Sequence, residues 1–424
     1  MGTSVAGLSG PTGRSLFASI VGESLGERKS SCRIASDIEE DLIRLRWPVG
    51  LIYGSEKQLS ERFCVGRAVI REAARVLEVR GSARMRRGPN GGLMVLPRSR
   101  EQSVDMAVDY VLLLGVSSAQ VIEARSLLDS VRASLRDPLR SAGSGPTDEL
   151  GRIDAVALGF FDALLQATDR LVSEGSGSAP RPGGTAVPLF HRSRAGQIAQ
   201  RLMLECSPVE WVGGRRLGSA FDLCERYGVD RGVLRQAIRI LESAGTAVAS
   251  CGRGNGVMSQ APGPASVCRL IHCHFAAHGL SAGASMELFH RLSVQVVAKI
   301  AESATPADMR RIDSALWHLE QATGSERVRA MFEAEESQFS LSKNRLIDLF
   351  LHSTKAYPSW DIAQAAPTPL LDQAYLAETR KVAAALARNN PTMAAIAQDQ
   401  KNRRLAYISG HPRLSRSDHR PMLI

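Results

Sequence analysis

Several features of common protein classes are absent from this 424-residue sequence. No run of about 18 apolar residues occurs, so no membrane-spanning helix is predicted. The seven cysteines show no CxxC spacing and are expected to be reduced thiols of a cytoplasmic protein. Residues 1–30 have neither the basic start nor the apolar core of a secretory signal, and their Gly/Ser-rich composition predicts a disordered segment.

Catalytic motifs are absent as well. The sequence contains no GxSxG nucleophile turn, no GxxxxGK[ST] phosphate loop and no HExxH zinc motif. Each of these motifs places a reactive group at a spacing that its chemistry requires. We therefore expect a protein that is not an enzyme.

What the sequence does contain is a long internal repeat. From Trp47 to Val95, 20 of 49 positions are identical to the residues 164 positions later. Trp47 corresponds to Trp211, and Arg67 to Arg231. We therefore expect two copies of one folded module, over residues 31–98 and 191–260.

The basic charge is confined to these two copies. Residues 31–100 hold 14 Lys/Arg against 8 Asp/Glu, and residues 191–260 hold 10 against 6. These surpluses account for the whole net charge of +10. Basic surplus limited to two repeated modules favours two surfaces that bind a polyanion.

The first copy has the pattern of three helices followed by a β-hairpin. Ser55 is a predicted N-cap with Gln58 three residues later, and residues 64–66 make a tight turn before a helix over 67–79. Ile70, Ala73, Ala74 and Leu77 should face inward, which leaves Arg67, Ala68, Arg71 and Arg75 outward. A salt bridge from Arg71 to Glu72 or Glu78 is the alternative role for that arginine. Arg86 and Arg87 beside the predicted turn at 88–92 suit phosphate contact.

These motifs resemble the winged helix-turn-helix domain of the GntR family of bacterial transcription regulators. The matching stretches are WPVG, GSEKQL, VGRAVIREA and RRGPNGGLMV. The resemblance implies double-stranded DNA as the partner. It also implies that the contacts fall on Lys57, Gly66, Arg67, Ala68, Val69, Arg71, Gly88, Asn90 and Gly91. Gly66 departs from the Ser or Thr that the family usually has there.

The second copy is less complete. It keeps Arg231, Arg235 and a Gly-rich turn with Arg253 and Asn255, and these four are its candidate DNA contacts. Asp230 is a predicted N-cap, while Ala220 and Phe221 replace Glu56 and Lys57. We expect weaker binding or a different target sequence, or a module that serves only in packing or dimerisation.

Helical sequence follows each copy and resembles the FadR-like, FCD-type ligand domain of the same family. A short domain is predicted over 101–172, a linker over 173–190, a longer helical domain over 265–407 and a flexible tail over 408–424. Predicted helices in the longer domain cover 284–302, 306–322, 326–354, 369–388 and 391–407. A small organic acid is the effector that the resemblance implies.

No metal and no cofactor are expected. At the pair of positions where many FCD domains have Asp and His, this sequence has Glu336 and Ser340, and the later histidines are missing. His274 and His278 lie one helical turn apart in a Cys/His-rich segment, but that segment aligns with residues 104–114, which have no such ligands. We predict a mostly α fold and a transcription regulator, acting as a repressor and built as an internal pseudo-dimer that also allows a homodimer. The alternative is a scaffold protein in which only the first module binds DNA.

Overall fold

The computed structural model describes residues 30–88, 91–136, 147–175, 194–205, 214–243, 245–249, 256–260, 264–360 and 368–409. The predicted disordered start (residues 1–29), most of the predicted linker (176–190) and most of the tail (410–424) lie outside these ranges. The described chain is mostly helical with two small antiparallel sheets, as predicted. None of its helices is long and apolar enough to cross a membrane.

The first module consists of three helices and three short strands. Its elements are α1 (Ser30–Arg44), β1 (Ile52–Gly54), α2 (Glu56–Arg62), α3 (Arg67–Val79), β2 (Ala83–Arg86) and β3 (Gly92–Val95). The sheet order is β1-β3-β2, because β3 pairs antiparallel with both other strands. Leu42, Leu59 and Leu77, from three different helices, are almost fully buried and form the module core.

The second module repeats this arrangement. In chain order its elements are α8 (Arg194–Leu204), β4 (Arg216–Gly218), α9 (Ala220–Tyr227), α10 (Arg231–Ser243), β5 (Ala247–Ala249) and β6 (Val257–Ser259). They correspond in turn to α1, β1, α2, α3, β2 and β3 of the first module, and the helices α4 to α7 lie between the two modules in the chain. The sheet order β4-β6-β5 is equivalent to the first, and the register irregularity in β1 recurs in β4. The sequence repeat is therefore also a repeat of structure.

The remaining elements are helical. After the first module come α4 (Arg100–Leu113), α5 (Ser118–Arg136), α6 (Thr147–Arg152), a π-helical segment (Ile153–Leu158) and α7 (Gly159–Gly175). After the second module come α11 (Pro264–Ala277), α12 (Ala282–Ser303), α13 (Pro306–Gln321), α14 (Gly324–Phe339), α15 (Arg345–Ala356), α16 (Pro369–Ala387) and α17 (Pro391–Ile408), with short 3-10 turns at Ser340–Ser342 and Tyr357–Trp360.

The predicted helix over 326–354 is wrong in one respect, because it is two helices. Asn344 is buried and accepts hydrogen bonds from the backbone N–H groups of Leu346 and Ile347, which makes it the N-cap of α15. Its side-chain amide also donates to Glu123 Oε2 over 2.7 Å. The chain therefore restarts a helix where the periodicity of apolar residues alone shows no break.

The chain forms two compact units, and each gathers parts of both repeats. Among the described residues, the first unit holds those within 30–117 and 166–279, which include both modules with α4 and α11. The second holds the described residues within 118–165 and 280–409. In the second unit α12 packs against α5, α15, α16 and α17.

Within the first unit, the helix that follows each module packs against the other module. Leu113 at the end of α4 belongs to the apolar core of the second module. In the opposite sense α11 packs against α1, where Arg269 lies 3.4 Å from Glu40 and both side chains are buried. The helices α4 and α11 also pack against each other. The two modules are thereby joined by an exchange of helices.

Candidate nucleic-acid interface

The start of α2 is held by the predicted capping box. Ser55 Oγ accepts from the Gln58 backbone N–H over 3.3 Å, and Gln58 Oε1 accepts from the Ser55 N–H over 2.8 Å. Both bonds satisfy donors that have no partner within the helix. The cap fixes the first turn, in which Lys57 projects outward with 72% of its side chain exposed.

A tight turn separates α2 from α3. Cys64 adopts a left-handed φ of 52°, and the equivalent residue of the second module, Gly228, has a φ of 58°. Glycine adopts this conformation without steric strain, whereas cysteine does not. The backbone course of the turn is thus the same in both modules although the side chains differ.

The two helices that follow these turns begin differently. Gly66, the N-cap of α3, makes no side-chain hydrogen bond to the helix. Asp230 Oδ1 in the second module accepts from the backbone N–H groups of Gly232 and Val233, over 2.7 and 3.0 Å, as its predicted capping role requires. These backbone donors hold the pKa of Asp230 below its usual value. A carboxylate therefore stands at the start of α10, whereas the start of α3 has none.

The helix α3 separates apolar from basic residues as predicted. Ile70, Ala73, Ala74 and Leu77 are buried in the module. On the opposite face Arg67, Ala68, Arg71 and Arg75 are exposed, and Val69 is half-buried. Because residues four apart lie on one face, Arg67 and Arg71 form a basic stripe at the N-terminal end of the helix.

Arg71 pairs with a residue that the sequence did not predict as its partner, because the predicted salt bridge was to Glu72 or Glu78. Its Nε lies 3.1 Å from both carboxylate oxygens of Glu56, in the first turn of α2. The hydrogen bond from Arg71 lowers the pKa of Glu56, while the same contact raises the pKa of Arg71. The Arg71 side chain remains 59% exposed, so it is accessible from solvent despite this contact.

The second module exposes arginines at the equivalent positions. Arg231 and Arg235 are exposed along α10, opposite the buried Leu234, Ala237 and Leu241. The residue equivalent to Glu56 is Ala220, so Arg235 has no counterpart of the Arg71–Glu56 pair.

The β-hairpin of the first module carries a second basic surface. Arg86, Arg87 and Gly88 are exposed at its turn, and Gly91 is half-buried. A Cβ on Gly92 would approach the Gly54 carbonyl oxygen to 2.6 Å, so only glycine fits beside β1. Gly256 stands in the same relation to Gly218 O in the second module. The candidate contacts Asn90, Arg253 and Asn255 lie outside the described residues.

Two residues of this surface were not among the sequence-based candidates. Arg84 is exposed on β2 and shares one face of the strand with Arg86. The period-two alternation of Ala83, Arg84, Met85 and Arg86 carries that signal in the sequence. Glu56 as the partner of Arg71 carries no such signal, because 15 residues and a turn separate them.

Two histidines of the Cys/His-rich segment, His272 and His274, lie on α11, and His278 directly follows the last residue of this helix. His272 and His274 are fully buried, and the His278 ring nitrogen Nδ1 lies 2.9 Å from the backbone oxygen of His274. In the part of the chain that the structure describes, no group of three or more His, Cys, Asp or Glu side chains could hold a metal ion. In the second unit Glu336 lies 3.9 Å from His352.

Comparison with known proteins gives a likeness to solved structures but none at the level of sequence. No family model and no curated protein matches the sequence. Among solved structures, one described as Streptococcus agalactiae GntR aligns with 52% of this chain and all of its own, at 17% identity and a TM-score of 0.38.

Proposed function

We propose that this protein is a sequence-specific DNA-binding transcription regulator in which each module is a winged helix-turn-helix. The observation that carries the proposal is the repeated exposure of two arginines, four residues apart, at the N-terminal end of α3 and α10. A helix fits the major groove, and arginines at its N-terminal end reach base edges, where guanine accepts two hydrogen bonds. Apolar packing of the opposite face holds each helix in place.

The hairpins supply the sequence-independent part of binding. Arg84, Arg86 and Arg87 are exposed on and beside the first hairpin. Cations at such positions neutralise phosphates and fix the orientation of the module without reading bases. Lys57 lies on α2, and both α2 and β2 pack against α3, so these cations belong to elements that adjoin the helix.

The two modules act as an internal pseudo-dimer. Support comes from the exchange of α4 and α11, and from an ion pair between Glu72 of α3 and Arg239 of α10. Because the first module has Glu56 and Lys57 where the second has Ala220 and Phe221, the two do not present the same surface. We therefore propose an asymmetric operator rather than a palindrome. We further propose repression that a small organic acid relieves, which is the scheme that the sequence resemblance implies.

Selection of bound sequences from a random DNA pool with the full chain tests the proposal. A single enriched sequence is expected, with affinity that falls steeply as salt concentration rises. Arg67→Ala and Arg71→Ala should each weaken binding to that sequence by about 1–3 kcal/mol. The matched control is Arg310→Ala with Arg388→Ala, two exposed arginines of the second unit. No enrichment, or equal loss in the control, contradicts DNA binding through α3.

A second candidate function is favoured by the surface of the second module. Phe221 and Val248, which stand where the first module has Lys57 and Arg84, are 66% and 42% exposed. Exposed apolar side chains fit a protein partner better than a phosphate backbone. If the second module binds a protein partner, only the first module binds DNA. The double variant Arg231→Ala/Arg235→Ala then leaves the DNA footprint unchanged. A footprint shortened at one end assigns DNA binding to both modules.

A further inference from the structure

The first unit contains a cavity where its two modules and the exchanged helices meet. Its volume is about 60 Å³. At roughly 10–15 Å³ for each water, it has room for about four to six water molecules, or for a small organic molecule of similar size. The helices α4, α8 and α11 line it, together with residues of both modules.

One wall of this cavity is charged but internally balanced. Glu39 accepts from Arg80 Nη1 and from Ser82 Oγ, each over 2.6 Å. Arg98 donates to Ser82 Oγ over 3.2 Å, and its guanidinium lies over the Trp47 ring. Burial raises the pKa of Glu39, but Arg80 and the Ser82 hydroxyl hold it below its ordinary value. Arg80 therefore already has a carboxylate partner, and Arg98 is hydrogen-bonded to the Ser82 hydroxyl that also contacts this carboxylate. A third cavity-lining arginine, on α11, pairs with a buried glutamate of α1.

The wall formed by α4 is different, because its carboxylate has no such partner. Asp109 is half-buried, lines the cavity and accepts no hydrogen bond from any side chain or backbone group in the described ranges. Burial and the neighbouring charge of Asp105 together raise the pKa of Asp109 to about 7. No arginine of the opposite wall offsets these two effects among the described residues.

The internal repeat explains why Asp109 has no cationic partner of the kind that Glu39 has. At the offset of 164 residues, Asp109 corresponds to Cys273, and Glu39 to Met203. Arg80 corresponds to Ala244. The second repeat thus carries apolar residues where the first carries the network that neutralises a buried acid. Met203 and Ala199 of α8 give the cavity an apolar side.

We propose that this cavity binds a small organic cation, a primary ammonium on a short alkyl chain, with Asp109 as its counter-ion. The ammonium group donates to the Asp109 carboxylate, and the alkyl chain packs against Ala199, Met203 and Leu270. A buried carboxylate is costly without a partner, so a cation that pairs with it offsets this penalty. An anion of the same size meets the like charges of Asp109 and Asp105, while Arg80 on the opposite wall is already paired with Glu39.

The test is calorimetric titration of the full chain with n-butylammonium chloride at about pH 8, where Asp109 is ionised. Butan-1-ol and sodium butyrate, with the same chain, serve as neutral and anionic comparisons. We expect saturable binding of one butylammonium per chain, with butanol and butyrate at least about tenfold weaker. The titration contains no DNA, so its outcome is independent of the proposed function.

Two variants distinguish binding of butylammonium at Asp109 from nonspecific binding to exposed acidic residues. Asp109→Asn should weaken butylammonium binding at least about tenfold, whereas Asp313→Asn, at an exposed position of the second unit, should leave it unchanged. If Asp109→Asn fails to fold, the unmodified protein at about pH 5 replaces it, because protonation of Asp109 removes the same charge. Absence of saturable binding overturns the proposal. Equal binding of butyrate, or unchanged affinity in Asp109→Asn or at the lower pH, overturns it as well.

Discussion

Glu72 of α3 forms an ion pair with Arg239 of α10, and so joins the two helices that carry the exposed arginines. Arg239 is the repeat equivalent of Arg75, which lies 3.7 Å from the same carboxylate within α3. One acid is thus shared by two arginines at equivalent positions of the two repeats. The contact makes the relative placement of α3 and α10 part of the fold of the first unit.

A double-mutant cycle on Glu72→Ala and Arg239→Ala should give a coupling free energy of about 0.5–1 kcal/mol in urea unfolding. Both side chains are half-buried, so solvent screens their interaction less than that of a surface pair. The control cycle pairs Glu72→Ala with Arg75→Ala, where a contact three residues apart on one helix is expected to give about 0.2–0.5 kcal/mol. Coupling of Glu72 to Arg239 that is no larger than the control contradicts this view.

Glu56→Gln should tighten DNA binding, because the carboxylate that holds Arg71 also repels phosphate. The 3.1 Å contacts from Arg71 to Glu56 must loosen when the guanidinium turns toward a base or phosphate. Glu78→Gln makes the same charge change at an exposed position near the other end of α3. Measured at equal salt, affinity should rise more for Glu56→Gln than for Glu78→Gln. Equal gains from the two variants indicate a general charge effect and argue against a specific role of the pair.

Lys401→Met should flatten the pH dependence of stability between about pH 7 and pH 10.5. Lys401 is fully buried, 3.6 Å from Glu335 and over the Tyr375 ring, and burial lowers its pKa to about 7. In this window the unfolded chain binds the proton that the folded chain has released, so stability rises with pH. The slope contributed by one such group is at most about 1.4 kcal/mol per pH unit.

The measurement for Lys401 is the free energy of unfolding in urea at several pH values. Lys381→Met, at an exposed lysine of α16, should leave the slope as it is. If the slope of stability against pH is unaltered in Lys401→Met, the lowered pKa of Lys401 is contradicted.

Asp109→Asn should stabilise the protein above about pH 7 and leave its stability unchanged near pH 4. The folded pKa of about 7 is raised from the ordinary 3.8, so between these values the folded chain holds a proton that the unfolded chain has lost. Stability of the natural protein therefore falls as pH rises through this window, and the asparagine variant avoids that loss. At about 1.4 kcal/mol per pKa unit, the difference at high pH is at most about 4 kcal/mol.

Urea unfolding of both proteins across this pH range checks the prediction for Asp109. Parallel stability curves from pH 4 to pH 8 would show that Asp109 has an ordinary pKa in the folded protein.

Local features of the fold were predictable because they depend on neighbours in the chain. The capping box of Ser55 and Gln58 involves residues three apart, and the Asp230 cap spans a similar distance. The buried face of α3 follows from the helical period of its apolar residues. The mostly helical character and the duplicated modules follow from the same kind of pattern.

Features that depend on residues distant in the chain were decided only by tertiary structure. The partner of Arg71 is Glu56 rather than a residue of its own helix, because packing of α2 against α3 brings the two together. The break before α15 is reinforced by Asn344 bound to Glu123, 221 residues away.

The assembly of the repeats is the largest such feature. The sequence alone indicates two copies in succession, each followed by helices. The folded chain instead gathers both modules with α4 and α11 in one unit, and α5, α6 and α12 to α17 in a second. Periodicity shows which face of a helix is apolar, but not which of two similar modules will cover it. Leu113 buried in the core of the second module, and Asp109 beside the cavity, both result from that choice.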